Sequence, residues 1–340
     1  MESKLCNDSY ILEENLNLNN LLELNMSTSQ LVEIDVNAFT KLHCLQKLHL
    51  HWNKLTKIKD YTFYALENLN TLNLHGNLIK ETNVNTFQGL YSLNTLDLHG
   101  NKISQINAET YKILKSLRYL GLTANEIKKL KPNYFRGLNG LQHLCLRLNK
   151  ITQISVNSFS DLTSLVELDL HANDISEINA NAFFGLNSLR TLNLSENQIN
   201  EINNETFRGL KNLNTLHLQW NKISTINANV FQFLVNLETL DLSWNKVNQI
   251  NADSFTGLDN LKCLNLSENQ ISRLMPDSFK PLRNLLQLDL SYNLFEEINA
   301  NFFNDLLQLK HLNLAGNIKI SMTNMKNFVK NLSLNINITK

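Results

Sequence analysis

Apolar and polar positions repeat along the chain every 24 residues with the same internal spacing in each copy. The second copy begins LQKLHLHWNKL at Leu45, so that Leu48 and Leu50 precede Asn53. Because alternate residues of a strand point to opposite sides, this spacing predicts a short β-strand with buried leucines and outward-facing polar residues. An aromatic residue such as Phe63 follows in the second half of each copy.

One asparagine marks the register of this repeat without an insertion or deletion. It occupies positions Asn53, Asn77, Asn101, Asn125, Asn149, Asn173, Asn197, Asn221, Asn245, Asn269, Asn293 and Asn317. The aromatic position is held by Phe39, Phe63, Phe87, Tyr111, Phe135, Phe159, Phe183, Phe207, Phe231, Phe255, Phe279 and Phe303. One copy cannot bury its apolar side alone, so the pattern predicts a solenoid in which successive coils share a core.

The pattern LxxLxLxxNxLxxLxxxxFxxLxx resembles the leucine-rich-repeat family in its typical 24-residue class, which includes the repeat domains of Toll-like receptors and small leucine-rich proteoglycans. The resemblance implies an α/β solenoid of horseshoe shape. Its parallel sheet lines the concave face, and irregular or short helical segments form the convex side. It also implies that the asparagine amides satisfy buried backbone groups as a ladder, which is a structural role.

Domain boundaries follow from where the repeat begins and ends. Residues 21–322 are predicted to hold thirteen repeats, residues 1–20 an N-terminal cap, and residues 323–340 a C-terminal cap or tail. The apolar candidates for capping are Leu5, Ile11, Leu12, Leu16, Leu18, Phe328, Val329 and Leu332. The alternatives are that the chain is part of a longer product or pairs end to end with itself.

Composition narrows the classes of partner and compartment. A formal net charge of zero gives no electrostatic reason to expect nucleic acid, and no apolar run has the length of a membrane span. The four cysteines, Cys6, Cys44, Cys145 and Cys263, are too dispersed for a disulfide framework and are interpreted as free thiols. With no signal-peptide pattern in residues 1–20, an intracellular or unconventionally exported protein is favoured, and an extracellular one is the alternative.

Function is expected to lie in the variable residues around each strand. We number four positions by their distance before the ladder asparagine: −6 and −4 flank the middle leucine, and −2 and −1 follow the strand. The predicted ligand-binding residues on these positions are His49, His51, Trp52, His75, Asp97, His99, Arg147, His171, His217, Trp220, Asp241, Trp244, Asp289 and Tyr292. They divide into an N-terminal patch around Trp52 and a C-terminal patch around Trp220 and Trp244, since exposed aromatic residues often anchor interfaces.

Two sharper interpretations of the histidines remain open beside simple inheritance of repeat residues. His49, His51 and His75 could hold zinc, but no carboxylate or thiol completes that set, so no metal or cofactor is predicted. Protonation of stacked histidines could instead make binding pH-dependent.

The sequence predicts a non-catalytic module that recognises a protein or peptide through the concave face, as an adaptor, scaffold or effector. Nucleophile, phosphate-binding and metalloprotease motifs are missing from the sequence. The alternatives are the ectodomain of a receptor or adhesion protein, and an assembly protein that associates through its ends. A monomer, or weak association through the ends, is expected.

Overall fold

The structure is a computed structural model that describes residues 18–107, 109–318, 320 and 337–339. The chain divides into two compact units, residues 1–169 and 170–340, and each is described by itself. The capping candidates Leu5, Ile11, Leu12, Leu16, Phe328, Val329 and Leu332, together with Cys6, lie outside the described residues. The predicted domain boundaries therefore stay predictions.

A strand of three residues recurs at the predicted place in every repeat. In the first unit these strands are β1 (Glu23–Asn25), β2 (Lys47–His49), β3 (Thr71–Asn73), β4 (Thr95–Asp97), β5 (Tyr119–Gly121), β7 (His143–Cys145) and β9 (Glu167–Asp169). In the second unit they are β11 (Thr191–Asn193), β12 (Thr215–His217), β13 (Thr239–Asp241), β15 (Cys263–Asn265), β17 (Gln287–Asp289) and β18 (His311–Asn313). A further strand, β19 (Asn337–Thr339), lies in the predicted C-terminal cap or tail and pairs with β18. Within each unit neighbouring strands are parallel, and up to β18 each residue pairs with the residue 24 positions later, as Leu48 does with Leu72.

The segments between these strands are irregular. They contain turns, a 3-10 helix at Ala300–Phe303, and two-residue strands: β6 (Lys129–Leu130), β8 (Gln153–Ile154), β10 (Glu177–Ile178), β14 (Gln249–Ile250) and β16 (Arg273–Leu274). Another 3-10 helix, Leu18–Asn20, precedes β1. Strand β6 pairs with β8 and β14 with β16, an addition that the repeat pattern does not predict. The predicted solenoid is confirmed, with irregular outer segments. Within the described ranges, no helix combines the length and hydropathy that crossing a membrane requires.

The core of each unit is a stack of leucine columns closed by the aromatic column. The strand leucines are almost wholly buried, with Leu48 and Leu216 each 0% exposed. Within each unit, aromatic rings of most neighbouring coils stack with centroids 5.9 to 6.5 Å apart, as Phe39 does on Phe63 and Phe207 on Phe231. Each coil therefore buries its apolar side mainly against the coils before and after it.

Within each unit, the asparagine ladder connects a coil to the preceding one. In Asn221, Nδ2 donates to the carbonyl oxygens of Leu218 at 3.0 Å and Leu194 at 2.9 Å, and Oδ1 accepts from the backbone N–H of Ile199 at 2.9 Å. One side chain thus satisfies three buried backbone groups, two of them on the previous coil. The buried Oδ1 of Asn317 has no partner among the described residues, which is where the repeat register ends.

Asn221→Ala is expected to lower the free energy of unfolding by about 3 kcal/mol or more, because it leaves buried backbone groups without partners. Urea denaturation followed by circular dichroism measures the loss. Asn227→Ala, at an exposed position in the same repeat, is the matched control and should change stability by less than about 0.5 kcal/mol. Equal effects of the two substitutions would contradict the assigned role of the ladder.

Candidate functional site

The outward-facing residues of the strands and of the turns that follow them form one surface in each unit, which we call the sheet face. It consists of the side chains at positions −6, −4, −2 and −1. Along a strand such as β13 the central Leu240 is buried, while Thr239 and Asp241 are partly exposed. This burial pattern is the predicted alternation, so the variable residues stand on the accessible side.

Position −4 carries a structural role that the sequence analysis missed. The Oδ1 atom of Asp241 accepts the backbone N–H of Ser243 at 2.9 Å, and that of Asp289 accepts the N–H of Ser291 at 2.8 Å. Asp97 makes the same contact with the N–H of His99. Asparagine makes the same contact at Asn25, Asn73, Asn193, Asn265 and Asn313. Asn25 belongs to the first repeat, in which Ser29 takes the place of the ladder asparagine.

The signal for this role is the recurrence of Asn or Asp at one position before a turn, since both side chains accept hydrogen bonds from nearby backbone. One oxygen of each predicted ligand-binding aspartate is therefore already engaged by the fold.

Position −1 has a left-handed backbone conformation. Its φ angle lies between 51° and 71° in every described repeat, at Thr28, Trp52, Gly76, Gly100, Ala124, Leu148, Ala172, Glu196, Trp220, Trp244, Glu268, Tyr292 and Gly316. Glycine adopts this conformation without steric penalty, whereas a bulky residue there is uncommon. All three tryptophans of the chain occupy this unfavourable position and remain exposed by 58%, 49% and 43%.

Aromatic rings at position −1 lie toward the next coil. Trp220 stacks on Trp244 with centroids 4.1 Å apart and planes inclined by 6°. Tyr292 lies instead against Gly316, where a Cβ would come within 2.5 Å of the tyrosine Cδ1. Position −1 of the coil between Trp244 and Tyr292 is Glu268. The C-terminal patch therefore contains a tryptophan pair and a separate tyrosine.

The predicted N-terminal patch is brought together as a row of rings. Trp52 meets His75 edge-on at 4.7 Å, and the rings of His75 and His99 are 6.0 Å apart. Nδ1 of His99 is hydrogen-bonded to the carboxylate of Asp97. The ring of Tyr119 lies 6.3 Å from that of His99. His75, Asp97 and His99 offer ligand atoms to a metal, whereas the predicted set contained no carboxylate.

The Asp97–His99 pair is held in its ionised form. Burial alone lowers the pKa of His99, but the hydrogen bond to Asp97 and the nearby thiol of Cys145 outweigh burial and raise that pKa to about 9. Burial alone raises the pKa of Asp97, but the hydrogen bonds from the side chain and backbone N–H of His99 outweigh burial and lower that pKa below its ordinary value.

The pKa of His51 is lowered in the folded chain, whereas that of His99 is raised. Burial lowers its pKa, the neighbouring His49 and His75 lower it further, and Asp97 opposes them. The rings of His49 and His51 meet edge-on at 5.9 Å, and the buried Nδ1 of His51 has no hydrogen-bond partner among the described residues. Protonating this imidazole is therefore less favourable in the folded chain than in the unfolded one.

The remaining predicted residues have different surroundings. In the second unit, Nδ1 of His171 lies 2.9 Å from Oγ of Ser195, and Nε2 lies 3.9 Å from a carboxylate oxygen of Glu196. Arg147 is exposed. His171 therefore contacts two residues of the next coil.

The second unit also has a groove of about 280 Å³ on its sheet face. Its lining residues include the predicted His217, Asp241 and Asp289, and also Cys263, Asn265, Gln287, His311 and Asn313. The added residues occupy positions −6 and −4 and could have been found by reading those columns in full.

Cys44, Cys145 and Cys263 are free thiols, as predicted.

A cavity of about 390 Å³ on the outer turns of the first unit was missed by the sequence analysis. Tyr61 and Tyr64 line it, with ring centroids 6.4 Å apart. The two tyrosines give only a weak signal of this cavity in the sequence, because they stand in a turn segment whose residues differ from repeat to repeat.

Imidazole NMR spectra recorded in a chelating buffer should show His99 protonated up to about pH 9 and His51 titrating below 6.5. While Asp97 is ionised, the raised pKa of His99 makes its pairing with Asp97 stabilise the fold fully at pH values just below 6.5, and this effect is lost as the pH rises through about 9. Asp97→Asn should therefore lower the pKa of His99 and destabilise the chain at pH 6 more than above pH 9. An unchanged His99 titration in this variant would refute the pairing.

Comparison with known families gives matches over most of the repeats. The model described as BspA type leucine rich repeat region matches residues 128–262 in six copies. The model described as leucine rich repeat matches residues 45–103, 67–127 and 245–295. A comparison with curated proteins gives no match.

Solved structures resemble the chain along nearly its whole length. TLR13, solved in complex with ssRNA13, is 29% identical with a TM-score of 0.77, and the match covers 94% of this chain. The chain spans about half (50%) of the length of TLR13. An internalin from Listeria monocytogenes is 25% identical with a TM-score of 0.69, over 95% of this chain and 87% of the internalin.

A leucine-rich-repeat protein of Leptospira interrogans is 28% identical with a TM-score of 0.61, over 92% of this chain and 76% of that protein. The 24-residue register, the buried asparagine ladder and the matched family models lead to one conclusion: the chain belongs to the leucine-rich-repeat family.

Proposed function

We propose that the chain is a non-catalytic binding module that recognises a protein or peptide through its sheet face. The proposal extends the general character of the family, whose solved relatives include receptors and binding proteins. A repeat surface held by parallel strands and a buried amide ladder needs little ordering when a partner binds, which favours recognition.

The observation that carries the proposal is the stacked pair of Trp220 and Trp244. Both residues adopt a left-handed φ, at 58° and 53°, which disfavours large side chains. Gly76, Gly100 and Gly316 show that the repeat accepts glycine at the same position. Keeping two large exposed rings where glycine would fit costs stability without filling the core, so the pair is better explained by contact with a partner.

The chemistry around the pair favours a protein or peptide over RNA. In the second unit, positions −6, −4, −2 and −1 contain no lysine or arginine in residues 170–317. They contain the acidic residues Glu196, Asp241, Glu268 and Asp289. Binding to nucleic acid depends on cations that neutralise phosphates, and a face of this composition lacks them. We therefore do not propose that this chain binds RNA, the ligand in the TLR13 structure.

A receptor or adhesion ectodomain is the second candidate. The observation in its favour is the 29% identity to TLR13 over 94% of the chain. It uses the same face and the same class of partner, so it differs from the first proposal in cellular context. Locating the native protein by surface labelling of intact cells separates the two.

Replacing both tryptophans by glycine should abolish partner binding while preserving the fold. We expect the Trp220→Gly, Trp244→Gly double variant to unfold within about 1 kcal/mol of the original chain, because relief of the left-handed φ offsets the lost ring stacking. Proteins captured by the immobilised original chain and by the variant are compared by quantitative mass spectrometry. The partner should be depleted at least about 10-fold by the double change.

Two controls test whether this effect is specific to the aromatic pair. Glu196→Gly makes the same kind of change at position −1 of the preceding coil, and Phe184→Ala removes an aromatic residue that is 54% exposed in an outer turn segment. Both variants should retain the partner. Retention of the partner by the double variant would show that the tryptophan pair is not the binding site.

A further inference from the structure

The His75–Asp97–His99 cluster of the first unit has the composition and spacing of a metal site. One ligand atom from each of these three side chains can be chosen so that all three lie within 4.8 Å of one another. We propose that they bind a divalent transition metal ion, with Zn²⁺ as the expected ion. The fourth coordination position is left to water or to a donor atom of a bound molecule.

Two imidazoles and one carboxylate are a suitable ligand set for zinc. Bonds of about 2.0 to 2.2 Å in a tetrahedral arrangement separate neighbouring ligand atoms by about 3.3 Å. The side chains are thus close to the required spacing, and rotations about their side-chain bonds can close the difference. Zinc sites with three protein ligands keep an open position, as proposed for this cluster.

The backbone places the cluster before any ion binds. Strands β3 and β4 pair in parallel so that Asn73 lies beside Asp97. The N–H of His75 is held by Oδ1 of Asn73 at 2.9 Å, and the N–H of His99 by Oδ1 of Asp97 at 3.0 Å. The two histidines therefore leave the sheet at equivalent points on adjacent coils, which limits the reorganisation that an ion would require.

Gly121 makes room for the ring of His99. A Cβ at this position would come within 2.6 Å of Nδ1 of His99, so any other residue would displace the imidazole. The φ angle of Gly121 is not in the left-handed region, so the backbone itself does not require glycine. The absence of a side chain at Gly121 thus leaves room for the imidazole of His99 beside Asp97.

The carboxylate distinguishes this cluster from the other pair of histidines on adjacent coils. His51 and His75 also occupy position −2 on neighbouring coils, but the −4 residue of the second coil in that pair is the neutral Asn73. In the pair formed by His75 and His99 the corresponding residue is Asp97. Zinc binds the negatively charged oxygen of a carboxylate rather than the neutral oxygen of an amide. The site is therefore assigned to His75 and His99, which have Asp97 beside them, and not to His51 and His75.

Calorimetric titration of Zn²⁺ into the chelator-treated full chain tests the proposal. It is performed near pH 8 because an ion must displace the proton that His99 shares with Asp97. One ion per chain should bind with a Kd of about 1 µM or tighter. His75→Ala and Asp97→Asn should each weaken binding at least about 10-fold. Asp97→Asn is the sharper change, because Asn73 shows that asparagine keeps the backbone hydrogen bond at this position.

The control variants separate this site from the cysteines and from other histidines. His171→Ala removes a position −2 histidine in the second unit and should leave the affinity unchanged. Gly121→Ala keeps all three ligands but displaces His99, so it should weaken binding. All of these variants retain the four cysteines. Binding by the unaltered chain weaker than about 100 µM would overturn the proposal, and so would affinities of His75→Ala and Asp97→Asn equal to that of the unaltered chain.

Trp52 supplies an independent readout because its ring lies 4.7 Å from that of His75. A quenching ion such as Co²⁺ at the site should reduce tryptophan fluorescence, and Trp52→Phe and Asp97→Asn should each remove that effect. Quenching that persists in Trp52→Phe would place the ion elsewhere and would also contradict the site.

Discussion

The bridge that each ladder asparagine makes to the preceding coil is the constraint on which the structure depends. A short strand with an open turn leaves carbonyl and N–H groups in the interior, and an amide can satisfy both kinds at once. In Asn221 the same side chain reaches its own coil and the previous one through three contacts of 2.9 to 3.0 Å. A single inserted residue would move the amide out of reach, so the 24-residue spacing is kept without exception from Asn53 to Asn317.

This constraint also decides which sheet-face residues are available to a partner. The turn before the ladder asparagine needs an acceptor at position −4 and a left-handed residue at position −1. Asp241 and Asp289 meet the first need, and their partners Ser243 and Ser291 are buried. Trp220 and Trp244 occupy the second position although glycine would suit it better. An aspartate at −4 is thus explained by the fold, whereas a tryptophan at −1 is not.

The two units present different chemistry on the same scaffold. The sheet face of the first unit carries a row of imidazoles, with the ionised Asp97–His99 pair beside Tyr119 and Cys145. The sheet face of the second carries stacked indoles, acidic residues and a groove of about 280 Å³. Because adjacent coils place equivalent positions side by side, a change at one position creates a cluster only when a neighbouring coil supplies a complementary group. The neighbouring coil can also contribute by leaving space, since Gly121 makes room for the ring of His99 and Gly316 for the ring of Tyr292.

The sequence by itself determined the solenoid, the strand positions, the leucine and aromatic columns and the asparagine ladder, because each follows from a strict period and from the need to bury apolar side chains. It also identified the histidines and tryptophans that share a face. It did not reveal that the −4 aspartates cap their own turns, nor that Trp220 stacks on Trp244 while Tyr292 lies against Gly316. Nor did it show that His75 meets Asp97 and His99 as a three-ligand set. Those outcomes depend on side-chain direction and on the backbone angle at position −1, and only the packing of one coil against the next decides them.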